Sequence, residues 1–283
     1  MMENWWHHIP EYLSPTVFSF GGISLSWYGV AFLCGTVFAL FFLWWVLYRV
    51  TDAPLSREEF LDFSLFLVGG AVFGARLGYA ALYNAAFFVA HPIALFSPMD
   101  PETGAWMGIA GMSVHGGAIG VLCAVLIFSR IYRKSVWRLL DSVALSIPIA
   151  LFFGRCGNFL AGELFGRVTD VGWGMVFPLA GDGALRHPSQ LYEALGEGVV
   201  LGMALFMLSK RNMLPGRLFA WALGLYGVIR FVLEYVREPD AQIGFVFGVF
   251  TMGQGLSMAM IGVSLSLAWW FRRRKDAILS PAR

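Results

Sequence analysis

Seven mostly apolar stretches divide the chain, near residues 23 to 48, 60 to 83, 113 to 132, 139 to 156, 190 to 208, 218 to 236 and 249 to 271, with polar residues gathered between them. Each approaches the ~20 residues an α-helix needs to cross a bilayer core. The pattern predicts an all-α polytopic membrane protein with seven transmembrane helices. Composition strengthens that reading, because 58% hydrophobic and 13% charged residues is not the balance of a soluble chain. Internal repeats, low-complexity tracts and flexible linkers do not stand out, so residues 1–283 read as a single integral membrane domain.

Basic residues decide the expected orientation. Arg49 and Arg57 follow the first stretch; Arg130, Arg133, Lys134 and Arg138 separate the third from the fourth; Lys210, Arg211 and Arg217 separate the fifth from the sixth. Arg272, Arg273, Arg274, Lys275 and Arg283 close the chain. With seven spans all of these fall on one side, and positive charge near helix ends is retained in the cytoplasm. The N-terminus is therefore expected outside and the C-terminus in the cytoplasm. A net charge of +2 reflects that basic inner face and requires no nucleic acid partner. The opening MMENWWHHIP has no basic residue ahead of its aromatics, so it reads as an interfacial segment carrying Trp5, Trp6 and Tyr12, with His7 and His8 at the surface, and not as a cleaved signal peptide. Cys34, Cys123 and Cys156 lie in or at the end of apolar stretches, which suits neither a disulfide framework nor a zinc cluster. No metal or other cofactor is expected.

Six arginines remain: Arg76, Arg155, Arg167, Arg186, Arg230 and Arg237, all within apolar stretches or toward the outer face. An arginine at a helix centre costs ~2.5–3.5 kcal/mol on insertion scales, so it faces the bundle interior or a wet cavity and finds a partner. Glu163, Asp170, Asp182, Glu193, Glu197, Glu234, Glu238 and Asp240 lie in the same half and are numerous enough to pair with all six. YGVIRFVLEYVREPD spaces Arg230, Glu234 and Arg237 by four and then three residues, one face of a helix. Arg237, near the outer end, can snorkel; Arg230 is deeper.

In the second stretch Gly70, Gly74 and Gly78 form a small-residue face that admits a neighbouring helix. Arg76 lies beside it, either tying that helix to its neighbour or lining a positive pocket. SVHGGAIG places His115 at the outer head of the third stretch, where Gly116 and Gly117 leave the backbone open to a ligand or another chain. A pKa near neutrality makes His115 a candidate general base. The segment from about 157 to 189, rich in glycine, proline and β-formers, is expected to be an outer head of loops and short strands. Arg167, Trp173 and Arg186 would make it a lid, a docking arm or only a connector.

Taken together and in order, SWYGVAF (26–32), GARLGYAALYN (74–84), HGGAIG (115–120), GRCGNFLAGELFGR (154–167), RHPSQLYEAL (186–195), YGVIRFVLEYVREPDAQ (226–242) and TMGQGLS (251–257) resemble the bacterial prolipoprotein diacylglyceryl transferase family. The resemblance covers nearly the whole chain. It implies seven spans, an outside N-terminus, an outer head, and residence in the bacterial inner membrane with the active site facing outward. It further implies transfer of an sn-1,2-diacylglyceryl group from phosphatidylglycerol to the lipobox cysteine of a prolipoprotein signal peptide, with release of glycerol phosphate, as the first step of lipoprotein maturation. Family members carry Asn two residues before the signature Glu; here that position is Ala161, while Arg155, Asn158, Gly162, Glu163 and Gly166 are in place.

That chemistry needs a thiolate, since a free cysteine has a pKa of ~8.5 and only its ionised form attacks. It also needs charge to receive the departing phosphate, and an arginine fork binds phosphate oxygens in pairs and stays charged when buried. Arg155 and Arg230 are the expected phosphate clamp. Tyr28 and Asn158 are expected to hold the glycerol headgroup, with Arg76, Gly166 and Arg237 also at the substrate. Glu163 and Glu234 are expected to orient the arginines, and His115 to deprotonate the incoming thiol. Cys156 is assigned to packing, because the acceptor thiol belongs to the other protein. A transporter would place charges along a through-path between paired repeats, and here they gather toward one face. An intramembrane protease would need helix aspartates suitably placed, but Asp62 and Asp141 lie near cytoplasmic ends.

Overall fold

A computed structural model describes the chain except residues 1–4, 21–22, 52, 98, 100–110, 212, 239–244, 247–249 and 280–283. Met1 to Asn4 of the opening segment, Asp240 and Arg283 therefore lie outside the described residues. The fold is mostly helical, and six helices among the described residues are long and apolar enough to cross a membrane. We label the long helices α1 (Trp27–Arg49), α2 (Arg57–Tyr83), α3 (Val114–Ile131), α4 (Val136–Ala161), α5 (Ser189–Ser209), α6 (Arg217–Leu233) and α7 (Met252–Leu279). The sixth apolar stretch is α6, a helix of 17 residues.

Several boundaries differ from the pattern-based expectation for local chemical reasons. The first helix was expected from residue 23, but Ile23–Ser26 is strand β2, paired with β1 (Thr16–Phe20). Ser26 then caps α1, its hydroxyl accepting from Gly29 N at 3.1 Å. The fourth helix was expected to end near residue 156 and runs on to Ala161. Its terminator is Gly162, whose φ of +69° is left-handed, the conformation that closes helices and that glycine adopts without steric cost. Gly162 N and Glu163 N cap carbonyls of Phe159 and Asn158 at 3.0 and 2.9 Å. Seven residues of α5, Ala194–Val200, are wound as a π-helix.

Contacts divide the chain into two compact units. One comprises Phe20–Ile23 and Asp52–Leu140, built on α2 and α3. A capping box starts α2, with Ser56 and Glu59 exchanging hydrogen bonds at 2.8 and 3.1 Å. The glycine face of α2 meets α3: a Cβ on Gly70 would stand 2.6 Å from Gly120 O, and one on Gly78 would stand 2.6 Å from Gly116 Cα. Gly116 and Gly120, not Gly117, give α3 its close approach, and their neighbour is α2.

The second unit comprises Met1–Ser19, Ser24–Thr51 and Asp141–Arg283, and so holds α1, most of α4, and α5 to α7. Val46, Leu145, Leu201, Leu205 and Leu218 form its buried core, flanked by Phe42, Tyr226 and Ile229. The Asp141 carboxylate accepts from Gly216 N and Phe219 N, both at 2.7 Å, and so satisfies free amides at the start of α6. Ser264 of α7 donates to Ala220 O at 2.7 Å, with Gly224 leaving room for its side chain.

Between α4 and α5, strands β3 (Met175–Val176) and β4 (Leu185–Arg186) pair antiparallel, Met175 opposite Arg186. Trp6 Nε1 donates to Trp173 O at 3.1 Å and His7 Nδ1 to Gly174 O at 2.6 Å, so the N-terminal segment is fastened to this small head.

Candidate functional site

The end of α4, the middle of α5 and the end of α6 bring three arginines and three glutamates into one buried network. Arg155 Nη1 lies 3.0 Å from Glu193 Oε2, and its Nε and Nη2 both reach Glu197 Oε2 at 3.2 Å. Arg230 Nη1 is 3.3 Å from Glu193 Oε1, its Nε 3.8 Å from Glu197 Oε1, and its Nη2 2.6 Å from Glu234 Oε2. Arg237 Nη1 completes the set at 3.2 Å from Glu193 Oε1. Glu193 and Glu197 stand four residues apart on α5, so one face presents both carboxylates to helices α4 and α6.

Burial is asymmetric within the network. The side chains of Glu193 and Glu197 are 1% and 0% exposed, whereas those of Arg155 and Arg230 are 14% exposed. Formal charges of the six residues offset one another; Arg167 donates to the carbonyls of Arg237 and Glu234 at 2.9 and 3.5 Å and brings the surplus positive charge. An anion reaching these arginines would find their guanidinium groups already held in position.

Glu234 has its own support. Thr251 Oγ1 donates to Glu234 Oε1 at 2.8 Å, and Thr251 exchanges hydrogen bonds with Gln254 at 3.1 and 3.2 Å. A Cβ on Gly253 would stand 2.5 Å from Glu234 Oε1. The TMGQG run at the start of α7 is thus a socket for that carboxylate.

The structure places three of the expected residues as follows. Glu163 was expected with Glu234 to orient the arginines, yet it is exposed beside the left-handed residues Gly162 and Leu164, and the carboxylates within ion-pair distance of Arg155 and Arg230 are Glu193, Glu197 and Glu234. Arg237 does not snorkel: it is 8% exposed and lies past the end of α6, where residue 237 bridges to Gly166. Its reach to Glu193 comes from that turn and not from helical spacing. Gly166 is enclosed by backbone, since a Cβ there would stand 2.5 Å from Val236 O and 2.6 Å from His187 O, so it acts through a close crossing of chains.

The other expected residues distribute as follows. Asn158 is buried one turn beyond Arg155 on α4, and its carbonyl accepts from Glu163 N. Tyr28, half-buried at the start of α1, is close enough to feel the charges of Arg155 and Glu163, and Gly157 lets α4 approach it, a Cβ there being 3.2 Å from Tyr28 Cα. Arg76 and His115 belong to the unit of α2 and α3. Arg76 donates to the carbonyls of Ala94, Leu95 and Gly111 at 2.8, 3.3 and 3.2 Å and lies 5.0 Å from the Phe88 ring centroid. His115 is exposed in the first turn of α3.

In the head, Arg186 Nη2 binds Asp182 at 2.6 Å and holds that carboxyl below its ordinary range. Burial pushes the His187 imidazole down. Trp173 donates to Tyr192 Oη at 2.6 Å and Arg186 lies over Phe165 at 5.0 Å.

Comparison with known proteins identifies the family. A family profile described as prolipoprotein diacylglyceryl transferase matches residues 15–270. The chain belongs to the prolipoprotein diacylglyceryl transferase family. A relative named phosphatidylglycerol–prolipoprotein diacylglyceryl transferase from Wolbachia sp. subsp. Drosophila simulans (strain wRi) is 44% identical over 253 residues, covering 88% of this chain and 91% of the relative. Relatives of the same name from Chlorobaculum tepidum and Wolinella succinogenes are each 40% identical, covering 96% of this chain and 94% and 97% of their own lengths.

In this diacylglyceryl transferase family member, the network includes residues to which the sequence alone assigned no role. Glu193 and Glu197 were named only as available acids; two glutamates four apart in an apolar stretch were the signal. Tyr226, one turn before Arg230, lies in the field of Glu197, Arg155, Arg230 and Glu193. Thr251 and Gln254 were quoted in a motif without a role.

Proposed function

We propose that this protein transfers the sn-1,2-diacylglyceryl group of phosphatidylglycerol to the lipobox cysteine thiol in the signal peptide of a prolipoprotein, forming a thioether and releasing glycerol phosphate, the first step of bacterial lipoprotein maturation. The observation that carries the reading is the buried network in which Glu193, Glu197 and Glu234 hold Arg155 and Arg230 in fixed positions.

In this reading the phosphate of the donor lies against Arg155 and Arg230. Sulfur attacks the diacylglyceryl carbon, the C–S bond forms, and the C–O bond to phosphate breaks with its electron pair leaving on the phosphate oxygen. The arginines stabilise the charge that develops there, an electrostatic contribution made in advance by fixed groups. Glu234 orients Arg230, and Arg237 shares Glu193 with both clamp residues. Tyr28 and Asn158 hydrogen-bond the glycerol headgroup. Glu163 and Gly166 shape the loop beside it. His115 takes the thiol proton, and Arg76 contacts the substrate from a side chain held by the carbonyls of Ala94, Leu95 and Gly111.

The same reading gives seven spans, α6 joining the six longer helices, in one domain of residues 1–283. The N-terminus and the head of about 157–189 face the periplasm, and the C-terminus lies in the cytoplasm. The basic clusters between spans support this orientation, which places the multi-pass protein in the inner membrane with its site outward.

The test incubates purified protein with phosphatidylglycerol and a lipobox peptide, following peptide mass and glycerol phosphate. Wild type is expected to add a diacylglyceryl mass, and Arg155→Ala and Arg230→Ala to lose it. A folded wild type that leaves the peptide unmodified would refute the activity; normal rates in both variants would refute the clamp.

A further inference from the structure

The turn that follows α4 has a constrained backbone. Gly162 and Leu164 both adopt left-handed φ, +69° and +56°, on either side of Glu163. Glycine does so freely, but a leucine there crowds its Cβ against the backbone, and such a residue persists only where its surroundings fix it. Packing is not what fixes it, since Leu164 is 39% exposed. Hydrogen bonds do. Gly162 N and Glu163 N donate to Phe159 O and Asn158 O of α4 at 3.0 and 2.9 Å, and Gly166 N donates to His187 O at 2.9 Å. The carbonyls of Glu163 and Leu164 are taken by side chains from the first turn of α5: Gln190 Nε2 donates to Glu163 O at 2.6 Å, and Ser189 Oγ to Leu164 O at 3.0 Å.

Stability does not account for Gln190. Its side chain is fully buried, and its Oε1 takes no hydrogen bond from the described residues. A buried amide satisfied at one end gains about as much from that bond as it loses at the other, so an apolar side chain of the same size would serve the fold as well. What the amide supplies is a fixed point. Gln190 stands one turn before Glu193 on α5, and Asn158 one turn after Arg155 on α4, so the Glu163–Leu164 turn is tied to two of the helices that carry the ionic network.

We propose that Gln190, assisted by Ser189, is a positioning residue for the donor lipid: the two side chains lock the Glu163–Leu164 turn in its left-handed form and so hold Glu163 and the end of α4 at Asn158 in register with the lipid headgroup. The proposal rests on the transferase reading, in which Asn158 and the Glu163 loop lie at the glycerol of phosphatidylglycerol. Neither Gln190 nor Ser189 touches the lipid. Released from their two bonds, Leu164 relaxes toward negative φ and swings Glu163 away from its place beside Asn158, while the ion pairs of Arg155 and Arg230 with Glu193, Glu197 and Glu234 remain as they are.

The test uses the full-length protein in mixed micelles, with size exclusion to confirm folding, and two readouts. In the first, phosphatidylglycerol and a lipobox peptide are varied in turn. Gln190→Met keeps the volume and removes the donor; it is expected to raise the KM for phosphatidylglycerol about tenfold, inside the ~100-fold that a 1 Å misplacement costs, and to leave the KM for the peptide unchanged. A merely structural defect would lower kcat by the unfolded fraction and leave both KM values alone, and that result overturns the proposal. In the second, hydrogen exchange of residues 162–168 is followed without substrates. Faster exchange in Gln190→Met than in wild type supports the lock, and equal exchange overturns it. Should Gln190→Met fail to fold, Ser189→Ala carries the same two expectations and the same refutations. A wild type that leaves the peptide unmodified would refute the transferase reading, and the exchange result would then decide the lock by itself.

Discussion

Glu193 is the most connected carboxylate of the network, and replacing it with glutamine isolates what it does. It contacts Arg155 at 3.0 Å, Arg230 at 3.3 Å and Arg237 at 3.2 Å, and its side chain is 1% exposed. Glutamine keeps the volume but removes the charge, leaving three guanidinium groups against Glu197 and Glu234 and pointing an amide toward donors. Removing one partner of a buried ion pair costs ~3–5 kcal/mol, since the remaining charge stays desolvated. The arginine side chains retain some exposure and can recruit water, so the low end, about 3 kcal/mol, applies here. At roughly 2 °C per kcal/mol for a chain of this size, the melting temperature in detergent should fall by about 6 °C. Glu238→Gln is the control: Glu238 pairs with Arg186 at 3.1 Å but is 47% exposed, and such pairs contribute ~0–1 kcal/mol. Thermal unfolding followed by circular dichroism would decide. A Glu193→Gln shift no larger than that of Glu238→Gln would refute the claim that Glu193 is the keystone of the buried network.

Two further outcomes test other parts of the molecule. Gly120→Ala should disrupt the α2–α3 pair, because its Cβ would overlap Gly70 O and stand 3.0 Å from Gly74 Cα, whereas Gly117→Ala makes ordinary contacts, with Ala71 O at 3.4 Å and Ala75 Cβ at 3.6 Å, and should melt with wild type; equal folded yields of the two by size exclusion would contradict the interlock. The head should loosen on acidification: His187 has a folded pKa below its unfolded one, and Asp182 likewise through its Arg186 hydrogen bond. Both groups bind protons more readily unfolded, so their stabilisation is complete above the unfolded pKa values and is lost as pH falls through the folded ones, below about 6.5 for His187 and below about 4 for Asp182. Hydrogen exchange across residues 175–188 should quicken in those windows, and Asp182→Asn should remove the lower one; pH-independent protection would count against it.

Much of the membrane architecture was legible in one dimension. Apolar stretches of spanning length mark helices because an unsatisfied peptide group in hydrocarbon is costly, and the basic clusters lie between them for a reason of solvation alone. The Gly70, Gly74 and Gly78 face was legible because four-residue spacing is a property of the helix itself. So was the pairing of Arg230 with Glu234, one turn apart. What could not be read was which carboxylate answers which arginine across helices. Eight acids were available, and Glu193 became the hub because α5 packs its face against α4 and α6. Glu163 fell out of the network because Gly162 ends α4 in a left-handed turn that carries the next residues away. Arg237 was placed on a helical face by its spacing, but α6 stops at Leu233 and the turn that follows delivers it to Glu193. The close approach of Gly202 to Pro148 likewise joins residues 54 positions apart in sequence. Sequence determined the local quantities, namely hydropathy, charge and helical spacing, whose energies are set within a few residues. The charged network required tertiary structure, because its energy depends on distances between helices far apart in the chain.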